Sequence, residues 1–473
     1  MGLVQVSRTG GRLARSRRGT YRNVVLAAVM AAVLGSCGSG TSSVNSTSKT
    51  TVTTSPNAPV DRTLGHGVSV SSIKLGVALV DFTEIAKYTD TIRTNAEQKQ
   101  IYQIFIDDIN AHGGINGRKI VPFYKFYTPL GTAGILALCT SFAEDDNVFA
   151  VTGTFVDFSG DAQTCIANQE RRVLLTFNLT QAIVDKSPAG LILTAGNFPE
   201  RSASILIRLL VTQHTLVGKT VAVLGDTTES TVVNDTIVPE LTKAKVALGT
   251  PAILAVSTTG DTTAAQAQLD SFIEKWRTEH VDAIWLSGNL ASTKQFVQKV
   301  KQALPNALMV SDNLDTLAQA QQLQQAGVKP NPYEGLLTAG GLTAKEFDAS
   351  GGWKYCADIY TKATGKPAPD AEHTIKLPNG KINDINGTIT NACVNLAIFH
   401  DIAQRVGPYL NDANWTQTVN HFGPLANRGG FYASLHTGKY SANDSWRLQA
   451  YDSSLGNSGL WKPITPLLDI TGT

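Results

Sequence analysis

The chain has 473 residues, of which 42% are apolar and 16% charged, and its formal net charge is +2. This length exceeds one ordinary hydrophobic core, so two domains are expected. Because several arginines lie within the first 22 residues, the remainder is close to neutral or acidic. No basic stripe with interleaved aromatic residues occurs, and we therefore expect no binding to nucleic acid.

The N-terminus has the pattern of an export signal. Six arginines precede the apolar run Val24–Leu34, which ends in Leu34-Gly35-Ser36-Cys37. The run is too short to span a bilayer and predicts a signal peptide over residues 1–36. The small residues before Cys37 resemble the bacterial lipobox, which implies cleavage before Cys37, diacylation of its thiol and an extracytoplasmic chain anchored to the bacterial cell membrane. Ordinary secretory cleavage beside an incidental cysteine is the alternative.

The four remaining cysteines are Cys139, Cys165, Cys356 and Cys393. An even number in an exported chain predicts two disulfides, for which three pairings are possible. We favour Cys139–Cys165 and Cys356–Cys393, since each bond would join two successive amphipathic helices of one domain. Metal binding is the alternative, but the spacing is not of the CxxC type, and we expect neither a metal nor another cofactor.

The first part of the chain alternates short apolar runs with segments of helical periodicity. The predicted strands and helices are, in order, Ile73–Val80, Gln98–Ala111, Lys119–Tyr127, Thr132–Ala143, Val148–Val151, Gly160–Gln169 and Val173–Leu175. Wholly apolar strands between helices are typical of a parallel sheet that is covered on both faces.

A similar pattern begins again near residue 202. It contains predicted strands at Thr220–Leu224, Ala252–Val256, Ala283–Leu286 and Leu308–Val310, with helices before, between and after them. Two long helices, Glu346–Thr364 and Ile385–Val406, follow, and we expect them to complete the first domain. The sequence therefore predicts an α/β fold with two open, mostly parallel sheets.

Polar side chains follow the strands of the first predicted sheet, where ligands bind in such folds. Ser159 lies where the helix after Val148–Val151 begins, so its hydroxyl and the free amides of the first turn suit a carboxylate. Thr180 follows the next strand, Val173–Leu175. The alternatives are that Ser159 only caps its helix and that Thr180 only turns the chain.

The run Ile109–Arg118, which reads INAHGGINGR, lies just before the second predicted strand. It resembles the corresponding stretch of the bacterial type I periplasmic binding proteins, the leucine/isoleucine/valine-binding family, and the resemblance extends over roughly residues 72–465. It implies two α/β lobes joined by three hinge crossings, here near 196–200, 340–343 and 407–411. The implied domains are a signal peptide (1–36), a Ser/Thr-rich tether (37–71), one lobe (72–197 plus 341–408) and a second lobe (198–340 plus 409–473).

The resemblance also implies ligand contacts between the lobes. A family serine that binds the ligand carboxylate matches Ser159, and a backbone carbonyl and a threonine match Asn178 and Thr180. An acidic residue of the second lobe accepts the ligand's ammonium group in the family, and Asp312 matches it. Capping of the next helix is the alternative role for Asp312.

The chain departs from the family where specificity is decided. Family members usually place tyrosines in the cleft from the second lobe, whereas this chain has Ser230, or its neighbour Glu229, and Asn289. The first lobe lacks the family's Ser-Gly-Pro loop, although Tyr88 is placed to reach the pocket. Ser and Asn offer hydrogen bonds instead of apolar contact, which disfavours a branched aliphatic ligand.

These features predict a solute-binding lipoprotein that captures an amino acid or similar small carboxylate or amide and delivers it to an ABC permease. We expect it to act as a monomer. A receptor of the same fold that acts in signalling is the alternative, and nothing in the sequence separates the two. The chain contains no GxSxG, HExxH, P-loop or GxGxxG motif, so we do not expect an enzyme.

Overall fold

The structure is a computed structural model that describes residues 60–86, 91–129, 132–155, 160–176, 179–255, 262–288, 294–314, 316–373, 375–426 and 429–471. The predicted signal peptide, Cys37 and most of the predicted tether lie outside these residues. Within the described ranges, no helix combines the length and apolar character needed to cross a membrane.

Most strands are short, as expected for a fold that alternates strands with helices. They are β1 (Ser72–Val80), β2 (Thr91–Ile92), β3 (Lys119–Tyr127), β4 (Ala150–Gly153), β5 (Val173–Leu175), β6 (Ile192–Leu193), β7 (Thr220–Asp226), β8 (Ala247–Leu248), β9 (Ala252–Leu254), β10 (Ala283–Leu286), β11 (Leu308–Ser311), β12 (Leu337–Gly340), β13 (Ile375–Lys376), β14 (Ile382–Asn383), β15 (Gly423–Pro424), β16 (Ser434–Leu435), β17 (Ser445–Asp452), β18 (Leu460–Pro463) and β19 (Leu468–Asp469).

The helices are α1 (Phe82–Ile85), α2 (Asn95–Ala111), α3 (Thr132–Thr140), α4 (Asp161–Thr164), α5 (Gln181–Val184), α6 (Pro199–Thr212), α7 (Ser230–Val232), α8 (Val238–Lys243), α9 (Thr263–Thr278), α10 (Lys294–Ala303), α11 (Thr316–Gln325), α12 (Ala344–Ala349), α13 (Gly351–Thr364), α14 (Ile385–Val406) and α15 (Asp412–Asn420). Single π-helical turns, Ser141–Asp145, Cys165–Gln169 and Val233–Ile237, continue α3, α4 and α7.

The first sheet has the strand order β3-β1-β4-β5-β6, and all its pairs are parallel. Its interior strand β1 is buried almost throughout, because helices cover both faces of the sheet. At Gly76 the packing requires glycine, since a Cβ there would lie 2.7 Å from the ring of Phe142.

The second sheet has the order β18-β17-β12-β11-β10-β7-β8, with β9 also paired to β7 and β19 to β17. Its pairs are parallel from β12 to β8, and β17 and β18 run antiparallel at the edge. Side chains of β10 alternate between the two covered faces: Ile284 and Leu286 enter one core, Ala283 and Trp285 the other. The prediction of two open, mostly parallel sheets is confirmed.

Within the described residues the chain passes between the two sheets three times. The passages lie at 194–199, between β6 and α6, at 341–343, between β12 and α12, and at 442–445, just before β17. The sequence placed the third crossing near 407–411. In the structure Leu410 and Trp415 are instead fully buried in the first core, so the chain joins the second sheet about 35 residues later.

Both disulfides have the predicted pairing. Cys139 of α3 bonds Cys165, the first residue of the π-helical turn after α4, with their Cα atoms 6.1 Å apart. Cys356 of α13 bonds Cys393 of α14, with a Cα–Cα distance of 5.8 Å. Each bond joins two neighbouring helices of the first core, as the amphipathic pattern indicated.

The last part of the predicted tether is folded onto the first core. The backbone N–H of Asp61 donates to Oδ1 of Asn414 at 3.2 Å, and Nδ2 of Asn414 donates to the carbonyl of Asp61 at 2.7 Å. The N–H of Gly65 donates to the carbonyl of Leu410 at 2.8 Å. The chain is therefore held from Asp61 onward, ten residues before the predicted end of the tether at 71.

Candidate ligand-binding site between the lobes

Three neighbouring strands of the second sheet end side by side, and polar residues stand at their carboxyl ends. Leu286 of β10 pairs with Leu224 of β7 and with Ser311 of β11, so the chain leaves all three strands at the same edge. Asp226 ends β7, and Asp312 follows β11. This edge is where ligands bind in open α/β sheets.

Asp312 is fixed by donors from the neighbouring strand. Nε1 of Trp285 donates to its Oδ2 at 2.9 Å, and the N–H of Gly288 donates to its Oδ1 at 3.1 Å. Burial raises the pKa of Asp312 to about 6, although these hydrogen bonds act in the opposite direction. The carboxylate is therefore held in one orientation, and within the described residues it forms no ion pair with a positively charged side chain.

Glu229 lies directly beside Asp312. A Cβ at Gly288 would stand 2.0 Å from Cγ of Glu229, so the glutamate stem packs against this glycine. Its Oε2 is buried and has no hydrogen-bond partner within the described residues. Burial raises the pKa of Glu229 to about 8, and repulsion from Asp312, Asp226 and Glu200 adds to the effect.

Glu200 connects this edge with the first lobe. It lies in the first turn of α6, directly after the first passage, and its Oε2 accepts a hydrogen bond from the N–H of Gln181 at 2.8 Å. Thr180, the residue before α5, is half-buried, and its hydroxyl makes no capping hydrogen bond. Glu200 therefore lies close both to the residue after Thr180 and to Glu229, and we call the space between these two parts of the chain the gap.

The first-lobe side of the gap consists of strand ends that are locked together. The N–H of Thr154 donates to the carbonyl of Ala78 at 2.8 Å, and the hydroxyl of Tyr127 donates to the carbonyl of Thr154 at 2.6 Å. Gly153 has φ +119°, and a Cβ there would lie 2.1 Å from the carbonyl oxygen of Ala78. This wall is therefore preorganised before any ligand arrives.

Thr180 and Asp312 both lie next to the gap, and their contacts with a ligand stay predictions. The hydroxyl of Ser230 donates to the carbonyl of Thr227 at 3.0 Å, a local turn contact, and its neighbour Glu229 is the residue that approaches Asp312. The other predicted contacts lie outside the described residues and stay predictions: Tyr88, Ser159, Asn178 and Asn289.

Sequence reasoning missed two residues of the site. Glu200 is an acidic residue in the first turn of the helix that follows a crossing, a position next to the gap in any two-lobed fold. Trp285 is the third residue of an apolar strand, so the sequence predicts only that its side chain is buried in the core. Its indole N–H contacts Asp312 because the two strands pair in register.

Solved structures with this architecture cover most of the chain. They include a leucine-binding protein from Thermotoga maritima MSB8, at 11% identity and TM-score 0.59 over 84% of this chain and 99% of the other. A solute-binding protein of an ABC transporter from Rhodopseudomonas palustris BisB5, in complex with 3,4-dihydroxybenzoic acid, aligns at 12% identity and TM-score 0.58 over 85% and 98%. A fatty acid ABC transporter substrate-binding protein from Thermomonospora curvata aligns at 15% identity and TM-score 0.58 over 86% and 94%.

No protein-family model and no curated protein matches the sequence. The structural likeness, with sequence identities below 25%, concerns the fold. The chain has the two-lobed α/β fold of the type I periplasmic solute-binding proteins of ABC transporters.

Proposed function

We propose that this chain is an extracytoplasmic solute-binding lipoprotein that captures an amino acid or similar small polar ligand between its lobes and delivers it to an ABC permease. The observation that carries the proposal is the pair of half-buried carboxylates, Asp312 and Glu229, across the gap from Thr180. Closure of the lobes buries such a ligand, and a permease can then distinguish the closed form from the open one.

The electrostatics of the gap favour a ligand with a positively charged group. Burying a carboxylate without a counter-charge is costly, and a ligand ammonium group beside Asp312 and Glu229 supplies that charge. The relatives bind carboxylic acids: leucine, a dihydroxybenzoic acid and fatty acid are the ligands that they are named for or contain. We assign the ligand carboxylate to the first-lobe residues Ser159, Asn178 and Thr180, and a polar side chain to Asn289 and Tyr88.

The same charges couple ligand binding to protons. Without a ligand, Glu229 is mostly protonated at neutral pH because its pKa is raised to about 8. An ammonium group favours the ionised form, so binding releases protons, and the affinity for such a ligand rises as the pH approaches about 8.

The compartment follows from the N-terminus and the cysteines. We propose that residues 1–36 are removed, that Cys37 is diacylated, and that residues 37–60 tether a monomeric binding unit to the membrane. Two disulfides fit an oxidising extracytoplasmic compartment. We propose lobes at 72–197 plus 341–443 and at 198–340 plus 444–473, a division that the separate buried cores support.

A thermal-stability screen tests the proposal. The purified chain is heated with amino acids, short peptides, amides, hydroxybenzoates and fatty acids, and a ligand at a hundred times its dissociation constant should add roughly 2.7 kcal/mol of stability. Asp312→Asn and Thr180→Val should each remove most of the response. The matched control is Asp452→Asn, on the antiparallel strand β17 at the opposite edge of the same sheet.

The outcomes are distinct. An amino acid that stabilises the parent chain and the control, but neither site variant, supports the site and names the ligand class. A stabilising ligand whose effect survives both Asp312→Asn and Thr180→Val contradicts the assigned site. No response from any compound, on protein shown to carry no ligand, contradicts an amino acid or small carboxylate as the solute.

A further inference from the structure

A segment between α13 and α14 leaves the helical layer of the first lobe. We call residues 366–384 the strap. The N–H of Ala371 donates to Oδ1 of Asp348 at 2.9 Å, and Nδ2 of Asn386 donates to the carbonyl of Pro369 at 2.8 Å. Its last strand, β14, pairs in parallel with β2. The strap is therefore fastened to the first lobe at both ends.

The middle of the strap faces the second lobe. A cavity of about 280 Å³ lies between them, lined by Asp370, His373 and Ile375 from the strap and by Leu314, Leu317 and Gln321 from the start of α11 and the residues before it. At a second point, a Cβ on Gly456 of the second lobe would lie 3.1 Å from the carbonyl oxygen of Glu372. The two lobes thus approach each other here, away from the three passages.

Each wall of the cavity carries an apolar side chain that is partly exposed to water. Leu314 is 43% exposed and Ile375 is 39% exposed, and both line the same space. Closing this cavity removes apolar surface of Leu314 and Ile375 from water. This burial lowers the free energy of the closed form relative to the open one.

Both walls of this cavity are connected to the ligand gap. Leu314 follows Asp312 by two residues, so it moves with the acidic edge of the second sheet. At the other wall, Arg93 forms an ion pair with Asp384 and lies 5.4 Å from the ring centre of Phe82, the second residue after β1. A movement that closes the gap therefore changes the cavity as well.

We propose that the strap is a latch for lobe closure: Ile375 packs onto Leu314 and Leu317 when the lobes come together, and this contact stabilises the closed form. The latch acts whatever the solute is, and it does not require the proposed transport role. The latch therefore influences what fraction of the ligand-free chain is closed. Because the ligand binds between closed lobes, this fraction also influences the apparent ligand affinity.

The distance between the lobes tests the latch without a ligand. Nitroxide labels on Val121→Cys and Val217→Cys, exposed positions of the first and second lobe, report the distribution of interlobe distances. Ile375→Glu places a carboxylate beside Asp370 and opposite Leu314. We expect the ratio of open to closed molecules to rise at least threefold. Leu314→Glu, from the other wall, should have the same effect.

Two further variants separate the latch from general damage. Leu314→Lys combined with Ile375→Glu should form an ion pair across the cavity and return the ratio to within about twofold of the parent value. Ile464→Glu, at a residue of the second lobe that is 48% exposed, should leave it unchanged. Distance distributions that are alike for Ile375→Glu, Leu314→Glu and this control overturn the proposal, and so does a double variant that stays as open as the single ones.

Discussion

The pH dependence of stability gives the sharpest test of the half-buried acidic pair Asp312 and Glu229. Glu229→Gln keeps the shape of the side chain and removes its ionisation. In the folded chain burial, with repulsion from three other carboxylates, raises the pKa of Glu229 to about 8, whereas its ordinary value is 4.5. Between these two pH values the folded chain binds more protons than the unfolded chain, so the residue's contribution to stability falls as the pH rises.

The magnitude follows from the two pKa values. Ionisation of Glu229 in the folded chain is half complete at about pH 8, and full ionisation lowers the free energy of unfolding by at most roughly 4–5 kcal/mol. Because part of this effect is shared with Asp312, whose own pKa is raised to about 6, and because Glu229 is not fully buried, we expect about 2–4 kcal/mol. Glu229→Gln should therefore be more stable than the parent chain by this amount near pH 8.5, and within about 1 kcal/mol of it near pH 5.

Urea denaturation between about pH 5 and pH 9, on ligand-free protein, measures the difference. The control is Glu274→Gln, at a glutamate of α9 whose side chain is 70% exposed and which should change little at any pH. The reasoning is refuted if the parent chain and Glu229→Gln lose stability in parallel across this range. It is equally refuted if the variant is the less stable of the two at high pH.

Two further predictions concern a disulfide of the first lobe and the ion network at the third passage between the lobes. Replacing both Cys356 and Cys393 by serine should lower the free energy of unfolding by roughly 3–4 kcal/mol, measured by thermal unfolding, and a reductant should then have less effect than on the parent chain. Asp444→Asn leaves Arg201 and Lys439, which both pair with Asp444, as buried cations. It should cost about 3–5 kcal/mol at neutral pH. Because burial lowers the pKa of Lys439 to about 8, this cost should shrink above that pH, and a cost that grows instead would contradict the ion network.

Much of the fold was predictable because its strands are short apolar runs and its helices carry local signals. The helix expected over Gln98–Ala111 begins at Asn95, because Thr94 and Glu97 form a capping box at its start. The third crossing was misplaced for a physical reason. α15 is a short helix whose buried residues, such as Trp415, do not reveal to which of two cores they belong.

The candidate site was only partly predictable from the sequence. Asp312 was identifiable because it directly follows an apolar strand. The sequence does not show whether Glu229 or its neighbour Ser230 faces the gap. That choice depends on Gly288, 59 residues later, whose φ of +65° and missing side chain let the glutamate stem pack against the backbone that also holds Asp312.

The charges buried along the lobe boundary have different consequences for opening. Asp444 and Arg201 lie at the passage itself, where adjacent segments are hydrogen-bonded, and they stay paired with each other at any hinge angle. Asp312 and Glu229 are half-buried beside the gap, so we expect opening to expose them further to water and to lower the cost of their ionisation. Alkaline pH therefore favours the open form of the empty chain. A ligand cation reverses this preference because it neutralises the same two carboxylates, and closure then depends on the presence of the solute.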